Sequence, residues 1–298
     1  MMPGAGATGP ARLLRREWLA CLGVGLAVMA PELVRGTSYS ASFTYNVVWP
    51  DAFVAAMRAG DFYPRWLEAS WDGLGAPTFY FYPPLFFFVA GLIGWIGDGA
   101  IPVPAATSLA SALFIAVSGI TMRLWLSLHV PAGAARLGAL LWMLAPYRII
   151  DIYARGALAE ATVYATLPLV LWGLARIGQA SWRHVAAVAG GYALMLLGHR
   201  PVTLLASLTI IPGWAAVCLW GAARGRKARL GIAHGGGVVA IGHAAFFLVP
   251  ALTLMRHVSA DQLFTPFFSP RYWLFLAGPN SVLAGSLADG QFAAFALA

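Results

Sequence analysis

Three stretches bring together residue types that could do chemistry in an otherwise apolar chain. APYRIIDIYARGALAE, Ala145 to Glu160, places Asp151, Arg155 and Glu160 where one apolar segment ends and the next begins. His199-Arg200-Pro201 forms a tight turn between two further apolar segments. WPDAFVAAMRAGDFYPRW, Trp49 to Trp66, carries Asp51 and Asp61. A carboxylate can accept a proton from a reacting hydroxyl. A guanidinium grips phosphate in a two-pronged fork, which is the chemistry Arg200 offers beside His199. Each stretch also has a plainer reading. Asp151 and Arg155 are four apart and would form a helix-surface pair worth about 0.3–0.5 kcal/mol. Glu160 would sit at a helix start, where the dipole favours negative charge, and His199 would merely close a turn. The chain has no D-x-D, H-E-x-x-H, Walker or Gly-x-Ser-x-Gly pattern, so nothing in it calls for a metal or another cofactor.

The elements that must position these residues are membrane helices. Sixty per cent of the 298 residues are apolar and 10% are charged, against roughly 25% charged in soluble domains. Several apolar runs approach the ~20 residues needed to cross hydrocarbon. They lack period-two alternation, so helices rather than a barrel satisfy the backbone. The expected fold is an all-α, polytopic transmembrane bundle forming one domain over 1–298. Crossings are expected near Trp18–Leu33, Ile101–Leu126, Ala132–Pro146, Leu158–Ala175, His184–Gly198, Pro201–Trp220 and Ile232–Leu252. The first reads as a signal anchor rather than a cleaved leader. Cys21 and Cys218 lie in apolar runs and read as small core residues.

Basic loops set the orientation. Arg12, Arg15 and Arg16 place the N-terminus in the cytoplasm, as does the Arg224–Arg229 cluster for its loop. The net charge of +8 thus reports topology, not nucleic-acid binding. Counting from both loops puts 34–75 in a long extracytoplasmic loop. It also leaves 77–96 with both ends outside, hence re-entrant, interfacial or broken at Pro83-Pro84. An amphipathic helix is expected over Asp51–Ala59 at the interface, with Trp49, Trp66 and Trp71 at headgroup level. The segment 253–298 is expected outside. All of the eleven acids except Glu17 then fall at or beyond the outer face, together with Arg148, Arg155, His199 and Arg200. Recognition or chemistry is expected there.

With GDFYPRW, a G-x-G-x-P-x-F-x-F-Y-P-P-L stretch and P-Y-R-x-x-D-x-Y-x-R-G-A-x-A-E on the page, the chain resembles a bacterial membrane family. That family is labelled 6-pyruvoyl-tetrahydropterin synthase-related and is similar to GT-C glycosyltransferases and YfhO-like membrane proteins. The resemblance covers most of 17–200. It implies transfer of a sugar from a polyprenyl-phosphate carrier, in the bacterial inner membrane, to an extracytoplasmic acceptor. A carboxylate would serve as base, and Arg155, His199 and Arg200 would hold the lipid phosphate. Ser42 and Asn46 stand where the resemblance implies an acid and a histidine. The base is therefore expected at Asp51, Glu32 or Asp72, with Asp151 and Glu160 as further acidic site residues. The same departure keeps open a non-catalytic, lipid-handling or transport-associated protein. The resemblance also implies a longer protein, of which this chain would be a truncated or split form. Membrane lipid is the expected partner, and a protein partner is left open.

Overall fold

The computed structural model describes residues 10–179, 181–220 and 226–258. Every regular element among them is helical. In chain order they are α1 (Pro10–Arg35), α2 (Phe43–Arg58), α3 (Thr78–Phe81), α4 (Leu85–Ile96), α5 (Val103–Leu126), α6 (Ala132–Met143) and α7 (Pro146–Ile150). A π-helical turn, Asp151–Arg155, leads on to α8 (Glu160–Arg176), α9 (Trp182–Gly198), α10 (Arg200–Leu208), α11 (Ile210–Trp220) and α12 (Arg226–Thr253). Contacts divide the chain into two units, Met1–Pro250 and Ala251–Ala298. Of the second, the described part holds the end of α12 and a 3-10 turn at Met255–His257. The rest of the expected outer segment 253–298 lies outside the described residues.

Six described stretches are long and apolar enough to cross a membrane: Arg15–Arg35, Val103–Leu126, Ala132–Arg155, Glu160–Gln179, Arg200–Trp220 and Lys227–His257. The architecture is that of a multi-pass membrane protein. The fifth expected crossing, His184–Gly198, is not among these six; it is α9, whose 17 residues span about 25 Å. The Pro77–Ile96 stretch is broken, as its Pro83-Pro84 pair requires. Its longer half, α4, has 12 residues and reaches only about 18 Å.

α5 is the hub, packed by α1, α2, α4, α6 and α8, while α9 packs on α8. Small residues allow the close approaches that lipid-embedded helices rely on. At Gly25 of α1, a Cβ would come 2.3 Å from the Ala112 carbonyl oxygen of α5.

Two local expectations are corrected. The helix expected over Asp51–Ala59 begins at Phe43 and carries Pro50 inside it. Its apolar face, Phe53, Val54 and Met57, is buried against protein. It packs on α4, where a Cβ at Gly91 would meet Phe53 and one at Gly94 would meet Val54. Trp49 likewise is packed in an aromatic cluster, 4.8 Å from Tyr82, 5.6 Å from Phe87 and 5.9 Å from Phe79 between ring centroids. Trp66 and Trp71 are exposed.

Candidate functional site

Pro146 does not end the sixth helical stretch. It occupies the first turn of α7, after a break at Leu144–Ala145, where its missing N–H costs nothing. The helix then widens into the π turn that carries Asp151 and Arg155, and Gly156 stops it at φ +68°. Such turns are frequent at functional sites. Glu160 starts α8 four residues later.

This path brings the three charged residues together. Arg155 Nη1 contacts Asp151 Oδ1 and lies 3.0 Å from Glu160 Oε1. Asp151 and Glu160 are each 3% exposed, whereas the Arg155 side chain is 31% exposed. The Asp151–Arg155 pair is therefore not a plain surface pair, since its carboxylate is buried. Glu160 does stand in the first turn of α8, as the plainer reading has it, and it is buried there. Arg148, expected on the outer face, is also buried. Desolvating such ions is costly even when they are paired. Ionisable groups inside a helix bundle point to function more than to stability.

Sequence reasoning missed the tyrosines around this cluster. The hydroxyls of Tyr147 and Tyr164 each donate to Glu160 Oε2 at 3.4 Å. Arg155 Nη1 donates to the Tyr147 hydroxyl at 2.7 Å. Tyr164 lies four residues after Glu160, a helical spacing that could have exposed the pair. Behind them, Arg148 donates to Ser118 Oγ at 2.7 Å and its guanidinium sits 4.9 Å from the Tyr164 ring centroid. Its Nη2 has no partner among the described residues.

The first loop docks on this turn. Asn46 Nδ2 donates to the Gly156 carbonyl at 2.8 Å. The backbone N–H groups of Ala41 and Ser42 donate to the carbonyls of Ala154 and Arg155 at 3.0 and 3.1 Å. Tyr82, at the break between α3 and α4, lies within electrostatic reach of the cluster. Burial, with the nearby charges of Glu160 and Asp151, pushes its hydroxyl up to about 12.

His199 and Arg200 join α9 to α10 beside this region. Arg200 Nη2 donates to the Phe81 carbonyl, and its guanidinium lies 5.4 Å from the Phe247 ring centroid. His199 titrates below the ordinary histidine value. Burial disfavours its charged form, and Arg155 and Arg200 add to this against the opposing pull of Glu160. Asp51 stands apart: it is exposed on α2, and no hydrogen bond or ion pair joins it to the cluster among the described residues. Glu32, at the end of α1, is buried and accepts from Ser108 Oγ at 3.3 Å and from the Ser38 N–H at 3.2 Å. Among the described residues, no group of three or more His, Cys, Asp or Glu side chains could hold a metal.

What the arrangement can do follows from its exposure. Two buried carboxylates share one guanidinium, and that guanidinium is the member of the trio that reaches the surface. It can meet an incoming anion, while the hydroxyls that Glu160 meets are those of Tyr147 and Tyr164. Comparison with protein-family models, with curated proteins and with solved structures gives no match.

Proposed function

We propose that this chain is a GT-C-like membrane glycosyltransferase of the bacterial inner membrane, with its N-terminus cytoplasmic and its site at the outer face. It moves a sugar from a polyprenyl-phosphate carrier to an extracytoplasmic acceptor. The observation that carries the reading is the buried Asp151–Arg155–Glu160 unit with the first loop docked on its backbone. Arg155 stabilises the lipid-phosphate leaving group with fixed positive charge, Arg200 adds a second guanidinium, and His199 stands beside it as a neutral hydrogen-bonding imidazole. Asp151 or Glu160 orients or deprotonates the acceptor hydroxyl. The α3–α4 stretch, broken at Pro83-Pro84, is the re-entrant wall against which the lipid lies.

A specific observation favours a second reading, a lipid-handling protein without transferase activity. Asn46 spends its side chain on the Gly156 carbonyl. Neither Asn46 nor Ser42 is a base, and both buried carboxylates already grip Arg155. One assay separates the readings. The purified protein is incubated with a panel of polyprenyl-phosphate-linked hexoses and pentoses plus envelope acceptor extract, and free polyprenyl phosphate is quantified. Release that is lost in Glu160→Gln supports transfer. Tight lipid binding with no release from any donor supports the second reading.

A further inference from the structure

The bundle has one basic end. Glu17 at the start of α1 pairs with Arg123 at the end of α5, and it lies 3.3 Å from Arg136 near the start of α6. Trp125, also at the end of α5, packs 5.3 Å from Trp214 of α11 between ring centroids. The end of α8, the starts of α9 and α12 and the end of α11 therefore gather at the same end as Glu17. They bring Arg176, Arg183, Lys227 and Arg229 with them. Glu17 is the acid found at this end among the described residues, and two arginines already claim it. Trp182 and Trp220 are exposed there, as expected of aromatic rings at headgroup level.

Between α8, α11 and α12 this end contains a small open cleft of about 30 Å³. Leu174, Ile177, Ala215, Cys218 and Ala233 give it apolar walls, and Arg229 is its charged member. Arg229 lies flat over Gly178, where a Cβ would come 2.4 Å from the guanidinium carbon. Its guanidinium makes no ion pair among the described residues. Val217 and Leu230 flank the cleft with exposed apolar surface, so the opening faces hydrocarbon. An apolar slot roofed by one unclaimed guanidinium, at headgroup level, in a field of uncompensated positive charge, matches one chemistry. That chemistry is an acyl chain below an anionic phosphate. Basic pockets between membrane helices recognise anionic headgroups in this way, and arginine does so with a bidentate fork.

We propose that the cleft between α8, α11 and α12 is a binding site for one anionic phospholipid, its phosphate on Arg229 and an acyl chain along Leu174, Ala215 and Cys218. The site is separate from the Asp151–Arg155–Glu160 cluster and does not depend on the function assigned to it.

Native mass spectrometry of the full chain, with phosphatidylglycerol and phosphatidylcholine of matched acyl chains, tests this directly. Wild type should retain one phosphatidylglycerol in preference to phosphatidylcholine, and millimolar inorganic phosphate should not displace it. Arg229→Met should weaken that adduct about fivefold, the equivalent of roughly 1 kcal/mol for one basic group at a membrane surface. Arg183→Ala removes the same charge from an exposed site and should leave the adduct intact. A second readout needs no change at Arg229. In a Cys21→Ser background, phosphatidylglycerol should slow N-ethylmaleimide labelling of Cys218, and phosphatidylcholine should not. Equal loss in Arg229→Met and Arg183→Ala would reduce the effect to diffuse surface charge and overturn the site. So would displacement by free phosphate, or Cys218 labelling that ignores the headgroup.

Discussion

Asn46 on α2 donates its side-chain amide to the carbonyl of Gly156, 110 residues away, at 2.8 Å. This buried bond seats the first loop on the π turn that holds Asp151 and Arg155. Asn46→Ala leaves a buried carbonyl unpaired and should lower stability by about 1–3 kcal/mol, read as a fall in the thermal midpoint in detergent. Asn46→Asp should be worse, because it sets a carboxylate against a carbonyl acceptor. No change in midpoint for either variant would mean the loop is held by other contacts.

Gly156 makes the reciprocal prediction. Its φ is +68°, and a Cβ there would fall 2.2 Å from Ser40 Oγ. Gly156→Ala should cost about 1–2 kcal/mol for the left-handed backbone, plus whatever is needed to move Ser40. The same thermal scan checks it, and a wild-type midpoint would contradict the close approach.

The ion trio should behave as one unit. Arg155→Met leaves two carboxylates facing each other, so it should destabilise more than Glu160→Gln, which keeps Asp151 paired. About 3–5 kcal/mol is the scale for orphaning a fully buried partner. With Arg155 31% exposed, solvent screening puts the loss below that. The double variant should recover part of the loss. Strict additivity in this cycle would show that the pair is not coupled.

Tyr82 offers a pH test. Its hydroxyl is pushed up to about 12, first by burial and then by Glu160 and Asp151, from an ordinary value near 10. The folded state thus holds this proton more tightly than the unfolded chain does. Its contribution is present below about pH 10 and is lost as pH rises towards about 12. The phenolate absorbance step missing from Tyr82→Phe should centre near the upper value. A midpoint near the ordinary one would place the ring away from the carboxylates.

The low charge content and long apolar runs were sufficient for the helical class and for six of the seven expected crossings, because hydrocarbon leaves few ways to satisfy a backbone. They misplaced the end of the Ala132 stretch, since a proline reads as a stop whether it ends a helix or opens the next turn. That error left Asp151 and Arg155 looking like a surface pair when Asp151 is buried. The Glu160–Tyr164 pair was within reach of helical spacing, whereas the Tyr147 contact and the Asn46–Gly156 bond join different elements, so spacing alone could not reveal them. The amphipathic face of α2 was legible in Phe53 and Met57. Its partner was not, because protein and lipid are equally apolar to a hydrophobic stripe.

Orientation rests on basic loops and has a direct check. In intact cells, an impermeant maleimide should label Asp61→Cys and spare Lys227→Cys, each in a background free of Cys21 and Cys218. The opposite pattern would move the Asp151–Arg155–Glu160 cluster to the cytoplasmic face and remove the proposed donor geometry.

The central claim is that Arg155 presents its guanidinium to a lipid phosphate, and binding of a short-chain polyprenyl phosphate to the purified protein measures it most directly. Arg155→Lys keeps the charge but loses the fork, so affinity should fall about tenfold, equivalent to roughly 1.4 kcal/mol. Asp51→Asn, exposed on α2 and apart from the cluster, should bind like wild type. Unchanged affinity in Arg155→Lys, in protein of wild-type thermal midpoint, would contradict the account.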